Sequence, residues 1–362
     1  MIPFINVRAQ REAYLSEFKQ AEQDVLDSGC FIGGPVVQAL ESELAEFTGA
    51  KHAITCGSGT DALTIALLAL GLKPGDEVIV PDFTFIAPAE CVMRLGGIPK
   101  FADIDPETLQ VSAESIAKLI TPKTKGIIAV NLFGQCAPYA EIQECARANS
   151  LWLIEDSAQA FGATQNGVPA CTFGDISITS FYPAKPLGCY GDGGALFTAN
   201  DELAQKIHLI ANHGSQTRYI HEICGMNSRL DAIQAAVLRV KLRHFKDELK
   251  KRSENARKYN EFFNVVPGIA PQEIANGNTS TYAQYTVLAD DRPAFLKKLD
   301  DAKIPYCIHY PMPQHEQPCF KELAQVHENT NATGACQKVV SLPMCAFTDV
   351  DEIIARLRKT TF

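Results

Sequence analysis

Between Ala53 and Glu155 the chain repeats one pattern. A short apolar run of strand character is followed by a segment with helical spacing, and the pair recurs. The runs are Ala53 to Cys56, Glu77 to Val80, Pro99 to Ile104, Gly126 to Val130 and Leu151 to Glu155. Helical segments lie between them, at Thr60 to Leu70, Ala87 to Arg94, Ala113 to Leu119 and Tyr139 to Asn149. Several runs are apolar throughout, which suits strands covered on both faces of a mainly parallel sheet. Repeated strand–helix units predict a doubly wound α/β domain. Ligands of such sheets bind beyond the carboxyl ends of the strands.

The flanking segments read differently. Residues 1 to 28 suggest an extended start and an amphipathic helix from about Glu12 to Ser28. A glycine-bearing loop, Gly29 to Pro35, follows, and Pro35 suits the first turn of a helix to about Phe47. A long helical stretch runs from about Arg229 to Phe263. Its densely charged middle, Arg243 to Lys258, is expected to face water. Beyond it, a strand at Ala283 to Leu288 and helices at Arg292 to Ala302 and Asp351 to Thr360 predict a smaller α+β domain. The 362 residues are enough for two domains, expected at 1–240 and 241–362.

Composition narrows the function. The net charge of −9 argues against nucleic-acid binding, which calls for a basic stripe. No signal-peptide pattern opens the chain and no apolar run reaches membrane-spanning length, so a cytoplasmic protein with no membrane partner is expected. The 12 cysteines form no Cys-x-x-Cys pair. They stand singly in apolar surroundings, as at Cys56, Cys91 and Cys145. Such cysteines read as buried reduced thiols and speak against a metal site.

Three stretches carry chemistry. Gly57-Ser58-Gly59-Thr60-Asp61-Ala62 follows a strand and opens a helix, where backbone N–H groups and a hydroxyl make a phosphate cradle. The same residues also suit a plain helix cap. The spacing fits a dinucleotide fingerprint as well. That fingerprint needs an acid at the carboxyl end of the next strand, and here Asp76 and Glu77 sit at its amino end. Glu155-Asp156-Ser157-Ala158-Gln159 ends an apolar strand. Its two acids point to opposite faces, so one is expected inside, where a carboxylate needs a positive partner. Ser180 to Ala195 holds Lys185 between Pro183 and Pro186, flanked by the strand-like residues Ile176 to Thr179 and Ala195 to Thr198. A desolvated lysine sheds its proton and becomes a nucleophile. A phosphate cradle, a strand-end acid and an activated amine together meet the needs of pyridoxal 5'-phosphate.

These stretches, with Pro74-Gly75-Asp76-Glu77-Val78 and Asn227-Ser228-Arg229-Leu230-Asp231, resemble the DegT/StrS-type sugar aminotransferases, a branch of the aspartate aminotransferase fold (fold type I). The likeness runs from about Phe4 to past Pro343. It implies that Lys185 bonds the cofactor and shuttles the substrate proton, and that Asp156 keeps the pyridine nitrogen protonated. Phe85 is implied to stack on the ring and Gln159 to sit at its hydroxyl side. Gly59, Thr60 and Ser180 would hold the phosphate. Asn227 would reach the phosphate of a neighbouring subunit, because the family shares its sites across a homodimer. The resemblance further implies transfer from L-glutamate to a keto group of a nucleotide-linked sugar. Ile32, Gly33, Arg229, His309 and Tyr310 are the candidate sugar contacts. Arg229 also suits a helix cap, and His309 a core histidine. Ser228 looks closer to members that aminate carbon 3, here of a UDP-linked 2-acetamido-3-oxo-glucuronate in surface-polysaccharide synthesis, than to carbon-4 members. A non-catalytic cofactor-binding regulator on the same fold is the alternative.

Overall fold

The computed structural model describes residues 2–323 and 330–360. Residues 1, 324–329, 361 and 362 of the expected domain ranges lie outside them. The chain opens with α1 (Val7–Ala13), α2 (Leu15–Ser28) and α3 (Pro35–Thr48). The single helix expected from Glu12 is thus two, parted at Tyr14, and the first starts early because Asn6 caps the amide of Ala9. Then come β1 (His52–Cys56), α4 (Gly59–Ala69), β2 (Glu77–Pro81), α5 (Ala87–Arg94), β3 (Ile98–Ala102), α6 (Ala113–Leu119), β4 (Thr124–Val130), α7 (Tyr139–Ala148) and β5 (Trp152–Asp156). A small hairpin of β6 (Thr164–Gln165) and β7 (Val168–Pro169) precedes β8 (Ile176–Ser180), β9 (Gly194–Thr198) and α8 (Asp201–Ala211).

Seven of these strands form one sheet in the order β1-β9-β8-β5-β4-β2-β3. Pairing is parallel from β8 to β3, and β9 runs antiparallel to both its neighbours. Six strands therefore point one way, and the sheet is mainly parallel. Its two faces are both covered. Ile54, Val80, Ile154 and Leu196 pack on α4, α5 and α8. On the other face, Ala53 and Phe197 meet α3, while Ile79, Ile127 and Leu153 meet α6 and α7. This explains the unbroken apolar runs.

Helix α9 (Ala232–Phe263) leads to the smaller unit: β10 (Ile269–Pro271), β11 (Tyr285–Ala289), α10 (Arg292–Asp301), α11 (Asn331–Lys338), β12 (Val339–Leu342) and α12 (Val350–Leu357). Its sheet, β10-β11-β12, is antiparallel. The expected boundary at residue 240 falls inside α9, which packs against both units. Residues 227–231 do not join the helix. They are held extended by pairing of Asn227 with Asn212 and of Asp231 with Ile32.

The charged middle of α9 is not uniformly solvated. Phe245, Glu248, Arg252 and Asn255 are buried, and so is Lys241. Each polar group has a job. Lys241 Nζ donates to the carbonyl of Gly188 at 2.6 Å. Arg252 Nη1 donates to the carbonyl of Tyr282 at 3.0 Å. Glu248 accepts from Gln10 Nε2 at 2.8 Å. Helical spacing places 241, 248 and 252 on one face, which binds α9 to the segments around it, while Arg243, Lys246, Asp247, Lys250, Lys251, Glu254 and Arg257 are exposed as expected.

Candidate active site

The carboxyl ends of β1, β2, β4, β5 and β8 meet at one edge of the sheet, and the chain leaving four of them lines a cavity of about 570 Å³. From the β1 exit come Ser58, Gly59 and Thr60, and from the β2 exit Thr84 and Phe85. Strand β5 ends in Asp156 with Gln159 just beyond, and β8 ends in Ser180. Lys185 rises from the β8–β9 loop. The small unit closes the far wall with Gln284, His309 and Tyr310.

The cradle is local chemistry. Ser58 stands before α4 and its Oγ accepts from the amide of Asp61 at 3.0 Å. The amides of Gly59 and Thr60, in the first turn, have no carbonyl to reach within the helix. A side chain at 59 would put its Cβ 2.8 Å from the Cβ of Ser180. Glycine thus lets the helix start and the serine converge. Ser180 Oγ accepts from the amide of Tyr182 at 3.3 Å, leaving its hydroxyl hydrogen to donate.

Lys185 is fixed by a tight turn, its amide donating to the carbonyl of Tyr182 at 2.8 Å. The turn requires glycine at 188, where a Cβ would lie 2.5 Å from that carbonyl oxygen. Burial lowers the Lys185 ammonium below its usual range, and the charge of Asp156 opposes this. Burial also raises Asp156, to about 6, against the Ala158 amide and Lys185.

The two acids ending β5 differ from expectation. Both are buried, Glu155 at 0% and Asp156 at 5% exposure. Glu155 needs no cation because it accepts five hydrogen bonds, from Asn131 Nδ2, Ser157 Oγ, Ser177 Oγ and the amides of Cys171 and Phe173. Among the described residues the Asp156 carboxylate accepts from the amide of Ala158 alone, at 2.9 Å. A buried carboxylate so poorly served, facing a cavity, calls for a proton donor from outside the chain. That donor set, with free helix amides beside two hydroxyls and a desolvated amine, fits pyridoxal phosphate. The acid suits a ring nitrogen, the cradle a phosphate and the amine an aldehyde.

Gln159 has both ends engaged. Its Oε1 accepts from the amide of Phe133 at 2.8 Å and its Nε2 donates to Tyr310 Oη at 3.3 Å. Phe85 is 54% exposed and tilted toward Tyr310, with ring centroids 6.3 Å apart. His309 contacts Ser341 Oγ through Nδ1 at 3.0 Å. Burial, aided by Lys185, lowers His309 to about 4, so it is neutral at physiological pH.

Four expected residues do not line this cavity: Ile32, Gly33, Asn227 and Arg229. They form a separate patch, joined by the Ile32–Asp231 bridge and by the Ala232 amide donating to Phe31 at 2.9 Å. Ile32, Asn227 and Arg229 are exposed. Arg229 is no helix cap, since α9 starts after Asp231. Ser228 is 1% exposed and turned inward, behind the cradle rather than toward the lysine. Cys56 and Cys91 are buried as expected, Cys145 is only partly so, and Cys224 and Cys319 are exposed. Thr84, Asp192 and Gln284 line the cavity without having been singled out from sequence. A polar residue inside a predicted strand, as Gln284 is in Ala283 to Leu288, was the one available signal.

The model of the DegT/DnrJ/EryC1/StrS aminotransferase family matches residues 13–358. The UDP-2-acetamido-2-deoxy-3-oxo-D-glucuronate aminotransferase of Pseudomonas aeruginosa is 44% identical, over 98% of both chains. A pleiotropic regulatory protein of Geobacillus stearothermophilus is 39% identical, over 95% of this chain and 93% of its own. Among solved structures, DesV of S. venezuelae in complex with a ketimine intermediate superposes with a TM-score of 0.96 at 35% identity, covering 99% of this chain and 98% of that one.

Proposed function

We propose that this chain, which belongs to the DegT/DnrJ/EryC1/StrS aminotransferase family, moves an amino group from L-glutamate to carbon 3 of a UDP-linked 2-acetamido-3-oxo-glucuronate. The enzyme is a pyridoxal-phosphate-dependent aminotransferase with the type I fold. The observation that carries the substrate is the 44% identity, over nearly the full length of both chains, with the Pseudomonas enzyme of that name. A carbon-4 or carbon-3 aminotransferase of a 6-deoxy keto-sugar is the neighbouring reading. The product would serve surface-polysaccharide (O-antigen) synthesis in the cytoplasm, in keeping with twelve unpaired cysteines.

The residues divide the work. Bound pyridoxal phosphate supplies a ring that takes up the electron pair left when a proton leaves the substrate carbon. Gly59, Thr60 and Ser180 hold its phosphate and Phe85 lies against its ring. Asp156 keeps a proton at the ring nitrogen. That proton repays the carboxylate for its burial. Lys185 Nζ, its pKa lowered by the same dry surroundings, takes the proton at one carbon and returns it at another. His309 and Tyr310, both uncharged, offer hydrogen bonds without competing for it.

On this reading the enzyme is a homodimer, and the exposed patch of Ile32, Gly33, Asn227 and Arg229 enters the partner's cavity. Arg229 then supplies the positive charge for a diphosphate or carboxylate, since Lys185 is the only lysine or arginine among the residues lining the cavity.

Reconstitution with pyridoxal phosphate tests the reading. The protein should turn yellow, bleach with L-glutamate and then aminate the keto-sugar, with the product identified by mass spectrometry and NMR. Lys185→Ala should abolish both colour and transfer. Mixing Lys185→Ala with Asn227→Ala subunits should restore part of the activity that each lacks. A coloured protein that transfers nothing would instead make it a regulator, the role in the name of its Geobacillus relative.

A further inference from the structure

Two polar atoms in the cavity are buried and hydrogen-bond to nothing among the described residues: Gln284 Oε1 and Thr84 Oγ1. Both residues line the cavity that holds Lys185. Thr84 is 2% exposed, on the loop after β2. Its main chain is occupied, the carbonyl accepting from Gln314 Nε2 at 2.6 Å, but its hydroxyl is not. Gln284 stands just before β11 in the smaller unit, next to a segment that Arg252 holds by the Tyr282 carbonyl. The contrast with Gln159, whose amide is engaged at both ends, is sharp.

A buried polar atom without a partner is costly, and folded proteins leave few of them. Two in the lining of one cavity mean that the partner arrives with a ligand. The chemistry of the atoms narrows which ligand. The Thr84 hydroxyl can donate or accept, so the discrimination rests on the Gln284 carbonyl, which only accepts and needs an O–H or N–H. The carboxylates of glutamate and 2-oxoglutarate present acceptors alone. A sugar ring presents hydroxyl groups, and an acetamido substituent an N–H. We propose that Gln284 and Thr84 are specificity-determining residues that bind the neutral hydroxyl and acetamido groups of the amino-acceptor sugar, and contribute little to recognition of the amino donor. This rests on the nucleotide-sugar reading above.

The half-reactions separate the two substrates. The yellow enzyme is titrated with L-glutamate and, separately, with the UDP-linked 2-acetamido-3-amino-glucuronate, each bleaching it in one direction. Gln284→Met and Thr84→Val keep the approximate shape while removing the Gln284 carboxamide, whose Oε1 is unpartnered, and the Thr84 hydroxyl. Each should raise the concentration of amino sugar needed for half-bleaching about tenfold, with a several-fold smaller change for glutamate. Neither should lower the thermal unfolding midpoint, because Gln284 Oε1 and Thr84 Oγ1 have no partner among the described residues. Equal losses for both substrates with a lowered midpoint would make the residues structural and overturn the proposal, as would variants indistinguishable from the parent. A parent enzyme bleached by glutamate but not by the amino sugar would sink the substrate reading, and this assignment with it.

Discussion

Ser228 Oγ donates to Asp61 Oδ2 at 2.7 Å and accepts from the amide of Gly57 at 3.0 Å. One hydroxyl thus ties the extended 227–231 segment to the first turn of the helix that opens the phosphate cradle. Its neighbours Asn227 and Arg229 point to solvent. Ser228→Ala should therefore cost about 1–3 kcal/mol through the stranded Gly57 amide and Asp61 carboxylate. It should also weaken pyridoxal phosphate binding, read by titrating the visible absorbance. Ser228→Tyr should do both more severely, because a ring cannot fit where the serine is 1% exposed. Neither should move the aminated carbon, which NMR of the product will report.

Asp156 carries the cost of its site until the cofactor arrives. With a pKa near 6 in the fold against about 4 unfolded, the folded state takes up a proton between those values. The cofactor-free protein therefore loses stability as pH rises from about 4 to about 6, by at most ~3 kcal/mol. Asp156→Asn removes that loss. The variant should be the more stable at pH 8 without cofactor, with the gap closing by pH 4 in urea unfolding. Its transfer rate should fall by about 10²–10⁴.

Glu155 should behave oppositely. Its five donors leave no room for an amide, whose N–H₂ would face N–H and O–H groups. Glu155→Gln should destabilise the loaded enzyme by roughly 1–3 kcal/mol for each donor it strands, as measured by chemical unfolding. A variant as stable as the parent would contradict the donor arrangement.

Lys241 is buried, its Nζ also lying 4.6 Å from the centre of the Tyr190 ring, and burial lowers its pKa to about 8. Unfolded chains hold that proton to about 10.4. Between those values the unfolded state binds more protons, so this group makes stability rise with pH, by ~3 kcal/mol in all. Lys241→Met should flatten the rise between pH 8 and 10. It should also weaken cofactor binding about tenfold, because the Gly188 carbonyl loses its donor and the Lys185 loop its anchor. Colour titration measures the second effect.

The sequence was most legible where local rules decide. Ala87–Arg94 and Ala113–Leu119 fall where spacing put them, and the strands of the large sheet lie within a few residues of the apolar runs. Convergence of Gly59, Asp156, Ser180 and Lys185 followed from strand direction, because carboxyl ends of parallel strands share an edge. What stayed hidden depends on distant partners. Glu155 could not be read as buried without Asn131, the loop of Cys171 and Phe173, and Ser177 of β8, which solvate it. Glu248 and Arg252 could not be told from the exposed charges around them, because Gln10 and Tyr282, which they bind, are far away in sequence. Thr84 and Gln284 become a pair only once the small unit folds over the sheet edge. Ile32, Asn227 and Arg229 had chemistry suited to a substrate, but the fold leaves them exposed and outside the lining of the Lys185 cavity.

Lys241 and Arg252 are eleven residues apart on one unbroken helix, one gripping the loop of the reactive lysine and the other the wall that carries Gln284. Helical rise makes that about 16 Å along the axis. The span between amine and far wall is therefore a fixed gauge, set in whole residues and also in phase. Inserting a single alanine between the two grips would lengthen it by only about 1.5 Å but turn the second grip through about 100°, away from the carbonyl it holds. Drift on the outer face of α9 is free; a change of length there is not.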